Sequence, residues 1–488
     1  MGHKQVGLVL GCLLSVLLWS LGPIGGSDTI TAMAAVAILM SVFWITEAIP
    51  LAATALIPLA VYPLMGISSS QAVAGQYMNS TVFLLIGGFM IALAMERWNL
   101  HKRIALRVLC FFGVRPKMLL LGFMTVTAGL SMWISNTATT LVMLPIALAI
   151  LGRYENFLTA QQNSRLTVAL LLSIAYSASI GGMMTLVGTA PNLVFSSVYE
   201  RATGVSVGFS QWMLVAVPVG LVMLFLVAIV MIVIFLRGCP TPENLKDVIE
   251  QERIKLGVMR YEEKAVLMVF LMTAFLWVTR KGISIQGYSV QGWSDWLSLG
   301  GWVDDGSVAI AMALVLFFIP ARTVSGEATT ILDEKVFRQL PWPVVVLFGG
   351  GFALAFGFSE SGLSAHLAGQ LQGLKNMDIP VIVLAVTSIM TLLTELTSNT
   401  ATTQLVLPIL QSASVVLDIK PVFLMVPATL AASCAFMFPV ATPPNAIVFG
   451  SGKVKVFEMV RVGFLVNVMA IGVITFLSLS GLLESSYG

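Results

Sequence analysis

Apolar runs recur along the chain near residues 6–22, 30–48, 51–65, 81–95, 165–187, 212–236, 264–279, 307–320, 343–358, 421–440 and 458–482. Most approach the roughly 20 residues that an α-helix needs to cross a hydrocarbon core about 30 Å thick. The pattern predicts an all-α polytopic membrane protein with eleven transmembrane helices. Two further apolar regions, 117–152 and 380–417, are too long for one crossing. Each is broken in the middle by a polar tip, Ser135-Asn136-Thr137 in one and Ser398-Asn399-Thr400 in the other. Each reads as a re-entrant helical hairpin that enters the membrane and returns. Irregular backbone at that depth is tolerated only where it is buried in protein or lines a cavity.

Composition narrows the class. Hydrophobic residues make up 58% of the 488, charged residues only 10%, and mean hydropathy is +0.95. A soluble globular chain averages about 25% charged residues. So few charges cannot cover the surface of a soluble enzyme, and the same arithmetic excludes a disordered chain and a nucleic-acid binder. Cys12, Cys110, Cys239 and Cys434 are scattered, as are His3, His101 and His366. Neither set has the spacing of a disulfide framework, a zinc site or a haem. Residues 1–22 show no convincing small-x-small cleavage site, with Trp19 late in the run, and read as an uncleaved first span.

Charge placement supplies a topology. Of the 26 Lys and Arg, all but Arg201, Arg280, Lys281, Lys375 and Lys420 fall on one side of the predicted spans. The positive-inside rule puts that side, and the N-terminus with it, in the cytoplasm, and the C-terminus outside. The chain is therefore expected in the cell (inner) membrane. The first hairpin then opens from the cytoplasm and the second from outside. The charged stretches 96–117 and 238–263 read as interfacial helices on the cytoplasmic surface.

The chain also repeats itself. Residues 135–146 read SNTATTLVMLPI and residues 398–409 read SNTATTQLVLPI. The same spacing of 263 residues pairs Gly87-Gly88-Phe89 with Gly350-Gly351-Phe352. Thr189-Ala190-Pro191-Asn192 matches Thr442-Pro443-Pro444-Asn445 at a spacing of 253. Each copy holds five crossings and one hairpin, and an odd number of crossings inserts the second copy upside down. Inverted repeats of this kind build secondary transporters, with the binding site near the midplane where the copies meet.

The polar tips suggest what is bound. Orphan amides and the positive dipole end of the second half-helix face each tip, and carbonyls ending the first half-helix point to the same region. Asn offers a donor and an acceptor, and Ser and Thr offer hydroxyls. Pro191, Pro443 and Pro444 should unwind their spans at Gly188–Pro191 and Ala441–Pro444, exposing carbonyls that suit a hard cation such as Na⁺. No Lys or Arg lies in either tip or either Thr-x-Pro-Asn segment. An anion held there without basic residues is costly unless cations bind beside it. The residues thus point to cation-coupled anion uptake. Glu47 and Glu395 lie in apolar segments and are candidates for a structural or proton-carrying role.

These features resemble the divalent anion/sodium symporter family, whose members include Na⁺/dicarboxylate and Na⁺/sulfate cotransporters. The resemblance covers essentially the whole chain. It rests on both Ser-Asn-Thr motifs and on the run Ser433-Cys434-Ala435-Phe436-Met437-Phe438-Pro439-Val440-Ala441-Thr442-Pro443-Pro444-Asn445-Ala446-Ile447-Val448, which looks like the family's C-terminal signature. It implies an elevator-type homodimer with a scaffold (1–116 and, with an interfacial helix, 238–379) and a transport body (117–237 and 380–488). It implies one Na⁺ around Ser131, Ser135, Asn136 and Gly188, and a second around Thr394, Thr397, Asn399 and Ala441. At Thr397, bulkier than expected for the family, a backbone contact is implied. Substrate carboxylates would meet Ser135, Asn136, Thr137, Ser398, Asn399, Thr400, Thr442 and Pro443. A C4-dicarboxylate such as succinate is the implied substrate, with sulfate its nearest competitor. An exchanger or a proton-coupled carrier of the same fold are alternatives in coupling. No cofactor besides the coupling ion is implied. No HExxH, GxSxG or nucleophile–base pair suggests an enzyme.

Overall fold

A computed structural model describes all residues except 1, 114, 156, 240–250, 252, 286–287, 323–325, 371–372, 374, 376 and 488. Eight described helices are long and apolar enough to cross a membrane: Asp28–Thr46, Ser70–Arg97, Asn136–Tyr154, Ala160–Met183, Phe209–Phe235, Trp342–Glu360, Asn399–Leu417 and Val456–Leu479. Shorter apolar helices include Pro116–Ser131, Asp305–Phe318, Ile379–Thr394 and Val422–Ala432. Over the two expected hairpins the chain forms the consecutive helix pairs Pro116–Ser131 with Asn136–Tyr154, and Ile379–Thr394 with Asn399–Leu417, each broken at its polar tip.

Several expectations change. The all-helical membrane architecture holds, with two short strand pairs added to it. Two antiparallel pairs, Ile283–Ile285 with Tyr288–Val290 and Pro320–Arg322 with Ala328–Thr330, follow the ends of helices Tyr261–Arg280 and Asp305–Phe318. The run 51–65 is not one continuous helix but two short ones, Leu51–Thr54 and Ile57–Leu64. Pro58 has no amide hydrogen to donate back into the first piece, and it sits at the start of the second, where that loss is harmless. The Ala55 carbonyl, at the break between the two pieces, accepts from the Tyr77 hydroxyl. The run 421–440 is helical only over Val422–Ala432. Glu47 does not lie within a helix. It is exposed, in a left-handed conformation (φ 47°), at the end of Asp28–Thr46.

Residues 96–117 contain the amphipathic helix Leu100–Phe112, which buries Leu100, Ala105, Leu106 and Leu109. Arg103 on this helix pairs with Glu263 at 2.6 Å. Of the second expected interfacial stretch, 238–263, residues 240–250 and 252 lie outside the described residues, and its last residues already belong to helix Tyr261–Arg280.

Packing repeats with the sequence. Pro116–Ser131 and Asn136–Tyr154 both pack on Ala160–Met183, and Ile379–Thr394 and Asn399–Leu417 both pack on Val422–Ala432. Across the repeats, Ala190–Thr203 packs on Asn399–Leu417 while Pro443–Gly450 packs on Asn136–Tyr154. Each hairpin thus lies against the helix that follows the other repeat's loop. Within Ala160–Met183, residues 166–183 are buried throughout. The paired Gly-Gly-Phe stretches let helices approach closely. A methyl at Gly87 would lie 2.6 Å from the Ala309 backbone, and one at Gly350 would lie 2.5 Å from the Ala55 carbonyl.

Candidate functional site

The first tip forms because helix Pro116–Ser131 stops at Met132 and the next begins after Ser135, whose side chain accepts from the Ala138 amide at 3.2 Å. The break leaves Ser131 fully buried with two acceptors. Its hydroxyl lies 2.6 Å from Asn136 Oδ1 and 2.7 Å from the Ala178 carbonyl. One hydroxyl proton serves three oxygens, so the cluster is short of hydrogens. Such an excess of lone pairs is the donor set a hard cation takes. The second tip repeats it. The Thr394 hydroxyl lies 2.6 Å from Asn399 Oδ1 and 2.7 Å from the Ala432 carbonyl.

An irregular loop follows the helix that supplies each cluster's carbonyl. Ala160–Met183 ends, and the chain runs irregularly to Thr189 before Ala190–Thr203 begins. The equivalent irregular stretch in the second repeat is 433–442. Unwinding therefore starts earlier than expected, and the prolines do not cause it locally. Pro191, Pro443 and Pro444 occupy the first turn of the following helices, where the absent amide costs nothing. Gly188 sits close to the first tip through Gly182. A methyl on Gly188 would come 2.4 Å from the Gly182 carbonyl, and one on Gly182 would come 2.4 Å from Asn136 Oδ1. In the second repeat Ala435 and Ala441 stand at these positions, so that loop accommodates two methyl groups.

Of the expected substrate residues, Ser135 and Pro443 are exposed, Thr442 is buried, and Asn136, Thr137, Ser398, Asn399 and Thr400 are half-buried. Thr442 Oγ1 caps the Asn445 amide at 3.3 Å, whereas Ser398 makes no side-chain cap. The Thr397 hydroxyl is engaged inside the hairpin, with the Leu393 carbonyl at 2.7 Å and with Thr402. The ion pairs Arg97–Asp333, Arg103–Glu263 and Arg280–Asp305 involve none of these residues.

Glu395 braces the second loop. Its buried carboxylate accepts from the amides of Phe436 (2.7 Å), Met437 (2.9 Å) and Phe438 (3.2 Å), and from Asn467 Nδ2 (2.7 Å). The first repeat has Met132 at this position, and the Thr185 hydroxyl donates to the Met132 carbonyl instead. Sequence reading missed Ala178 and Ala432, which contribute only backbone carbonyls and carry no signal in residue type.

The fold and the site together define a multi-pass membrane protein built from two copies of a broken-helix unit. The chain belongs to the sodium:sulfate symporter transmembrane region family, whose description matches residues 4–482. A protein of Staphylococcus saprophyticus, named sodium-dependent dicarboxylate transporter SdcS, is 43% identical over 96% of this chain and 90% of its own length. The Staphylococcus aureus USA300 protein of the same name is 40% identical over 96% of this chain and 89% of its own. The fold is similar to two solved structures, each with 12% identity. MtrF of Neisseria gonorrhoeae, described among antimetabolite efflux pumps, has a TM-score of 0.55 over 87% of this chain and 83% of its own. The YdaH transporter of Alcanivorax borkumensis, described as having an unusual topology, has 0.56 over 83% of this chain and 85% of its own.

Proposed function

We propose that the chain imports a C4-dicarboxylate such as succinate together with Na⁺. The observation that carries the reading is the duplicated oxygen cluster, Ser131–Asn136–Ala178 and Thr394–Asn399–Ala432, beside polar tips that hold no basic residue. Each cluster holds one Na⁺. The first draws on Ser131, Ser135, Asn136 and the Gly188 carbonyl, and the second on Thr394, Asn399 and the Thr397 and Ala441 carbonyls. The bound cations offset the charge of a dianion held by the Ser-Asn-Thr tips, Thr442 and Pro443. Hydroxyls, amide side chains and helix N-termini then need only orient the carboxylates. The names of the Staphylococcus relatives support this substrate and ion.

In this reading eleven helices cross the bilayer, the N-terminus is cytoplasmic and the C-terminus lies outside. The transport body, 117–237 and 380–488, carries the site across a homodimeric scaffold formed by 1–116 and 238–379. The reciprocal packing of Ala190–Thr203 and Pro443–Gly450 on the opposite hairpins supports one body containing both tips. The test is uptake of labelled succinate and labelled sulfate into proteoliposomes, with the Na⁺ gradient and the voltage set independently. Succinate uptake that follows an inward Na⁺ gradient is expected. Na⁺-driven uptake of sulfate alone overturns the substrate. Uptake driven only by trapped succinate overturns the coupling.

A further inference from the structure

The Asn that ends each Thr-x-Pro-Asn segment has no part in the ion or substrate contacts above. Both copies are fully buried. The two hydrogens of Asn192 Nδ2 are shared among the carbonyls of Gly182 (3.3 Å), Met183 (3.1 Å) and Thr185 (2.7 Å). Asn445 Nδ2 donates to the carbonyls of Ala435 (3.1 Å) and Phe438 (3.0 Å). Gly182 pairs with Ala435, and Thr185 with Phe438, at the same spacing of 253 that pairs the asparagines. The surrounding residue types differ between the copies, yet the amide and the carbonyls it holds recur.

Carbonyls at a broken helix end have lost their intrahelical donors and are free to swing. Here one of them is shared with the cation loop. The Thr185 carbonyl also accepts from the Gly188 amide at 3.4 Å, and the Phe438 carbonyl from the Ala441 amide at 3.2 Å. The Asn side chain and the residue expected to present a carbonyl to Na⁺ are therefore tied to one oxygen. Meanwhile Asn192 Oδ1 and Asn445 Oδ1 are buried and have no hydrogen-bond partner among the described residues. A buried acceptor left unpaired is unfavourable. Its recurrence in both repeats indicates that the amide nitrogen is what the fold requires.

We propose that Asn192 and Asn445 are positioning residues that set the two carbonyl loops for Na⁺, each governing the ion site of its own repeat. The inference rests on the Na⁺-coupled reading above. It predicts that the two residues tune ion affinity and ion selectivity while leaving the carboxylate contacts intact.

The test uses the purified full-length chain and its Asn192→Asp, Asn192→Ser, Asn445→Asp and Asn445→Ser variants. Two readouts are the NaCl concentration giving half-maximal thermal stabilisation with succinate present, and the ratio of that value to the LiCl value. The Asp variants keep the shape and lose the amide donors. The Ser variants give a second view should a buried Asp prevent folding. Each variant is expected to need about tenfold more Na⁺ and to lose discrimination against Li⁺, with succinate affinity at saturating Na⁺ within about threefold of wild type. Unchanged Na⁺ midpoints and Na⁺/Li⁺ ratios in folded variants overturn the proposal. Tighter Na⁺ binding by the Asp variants also overturns it, because the side-chain oxygen would then be a direct ligand. A wild-type protein that does not respond to Na⁺ at all overturns instead the reading on which the proposal rests.

Discussion

Glu395 accepts a 2.7 Å hydrogen bond from Nδ2 of Asn467, and both side chains are buried. The same carboxylate gathers three consecutive backbone amides of the second irregular loop. It therefore joins the second hairpin, that loop and helix Val456–Leu479 through one charged group. Hydrogen bonds to an ionised acceptor are roughly twice as strong as neutral ones.

Replacing Glu395 by Gln keeps the volume, removes the charge and supplies an unwanted donor toward the amides. The expected loss is about 2–3 kcal/mol of stability, read as a lowered thermal midpoint of the purified protein. The equivalent position in the first repeat, Met132, has no such bond, so Met132→Leu should shift the midpoint little.

Ser131 and Thr394 hold equivalent positions, so their hydroxyls should contribute similarly. Ser131→Ala and Thr394→Val are each expected to raise the Na⁺ needed for half-maximal uptake about tenfold, equivalent to about 1.4 kcal/mol. Thr394→Ser retains the oxygen and should stay close to wild type. Uptake titrated with Na⁺ at saturating succinate measures this.

Gly182→Ala should disable the first cluster by crowding, since the added methyl would lie 2.4 Å from Asn136 Oδ1. Gly129→Ala, where a methyl meets nothing within 4 Å, is the matched control. Folded Gly182→Ala protein with lost Na⁺ response, beside an active Gly129→Ala protein, is the expected pair of results.

Asn136→Ala and Asn399→Ala remove a side chain that the reading assigns to both ion and substrate. Each should reduce succinate uptake at least about a hundredfold while leaving the amount of folded protein in the membrane unchanged. Such a loss corresponds to roughly 2.7 kcal/mol, the scale of a lost charge-assisted contact. Reconstituted uptake normalised to protein measures it.

The hairpins were readable from the sequence because a polar tip between two apolar halves cannot face lipid and has to be buried in protein or line a cavity. Expected regions 117–152 and 380–417 meet observed hairpins spanning Pro116–Tyr154 and Ile379–Leu417. The lengths of the interrupted helices were not readable. Val422–Ala432 ends early because Glu395 and Asn445 satisfy the freed backbone groups, and both lie outside that helix in sequence. The break at Ala55 was likewise hidden, since its carbonyl is met by Tyr77. Apolar content marks where a chain is buried, but not where a distant side chain lets its helix stop. The oxygen clusters were half visible. Ser131, Asn136, Thr394 and Asn399 stand out by type, whereas the carbonyls of Ala178 and Ala432 depend on the fold alone.

In the proposed function, an anion site without basic residues depends on cations bound beside it. Succinate binding to the purified protein, measured by titration calorimetry in NaCl and in choline chloride at alkaline pH, tests it most directly. Binding in NaCl and none in choline chloride is the predicted result; equal affinity in the two buffers would contradict the account.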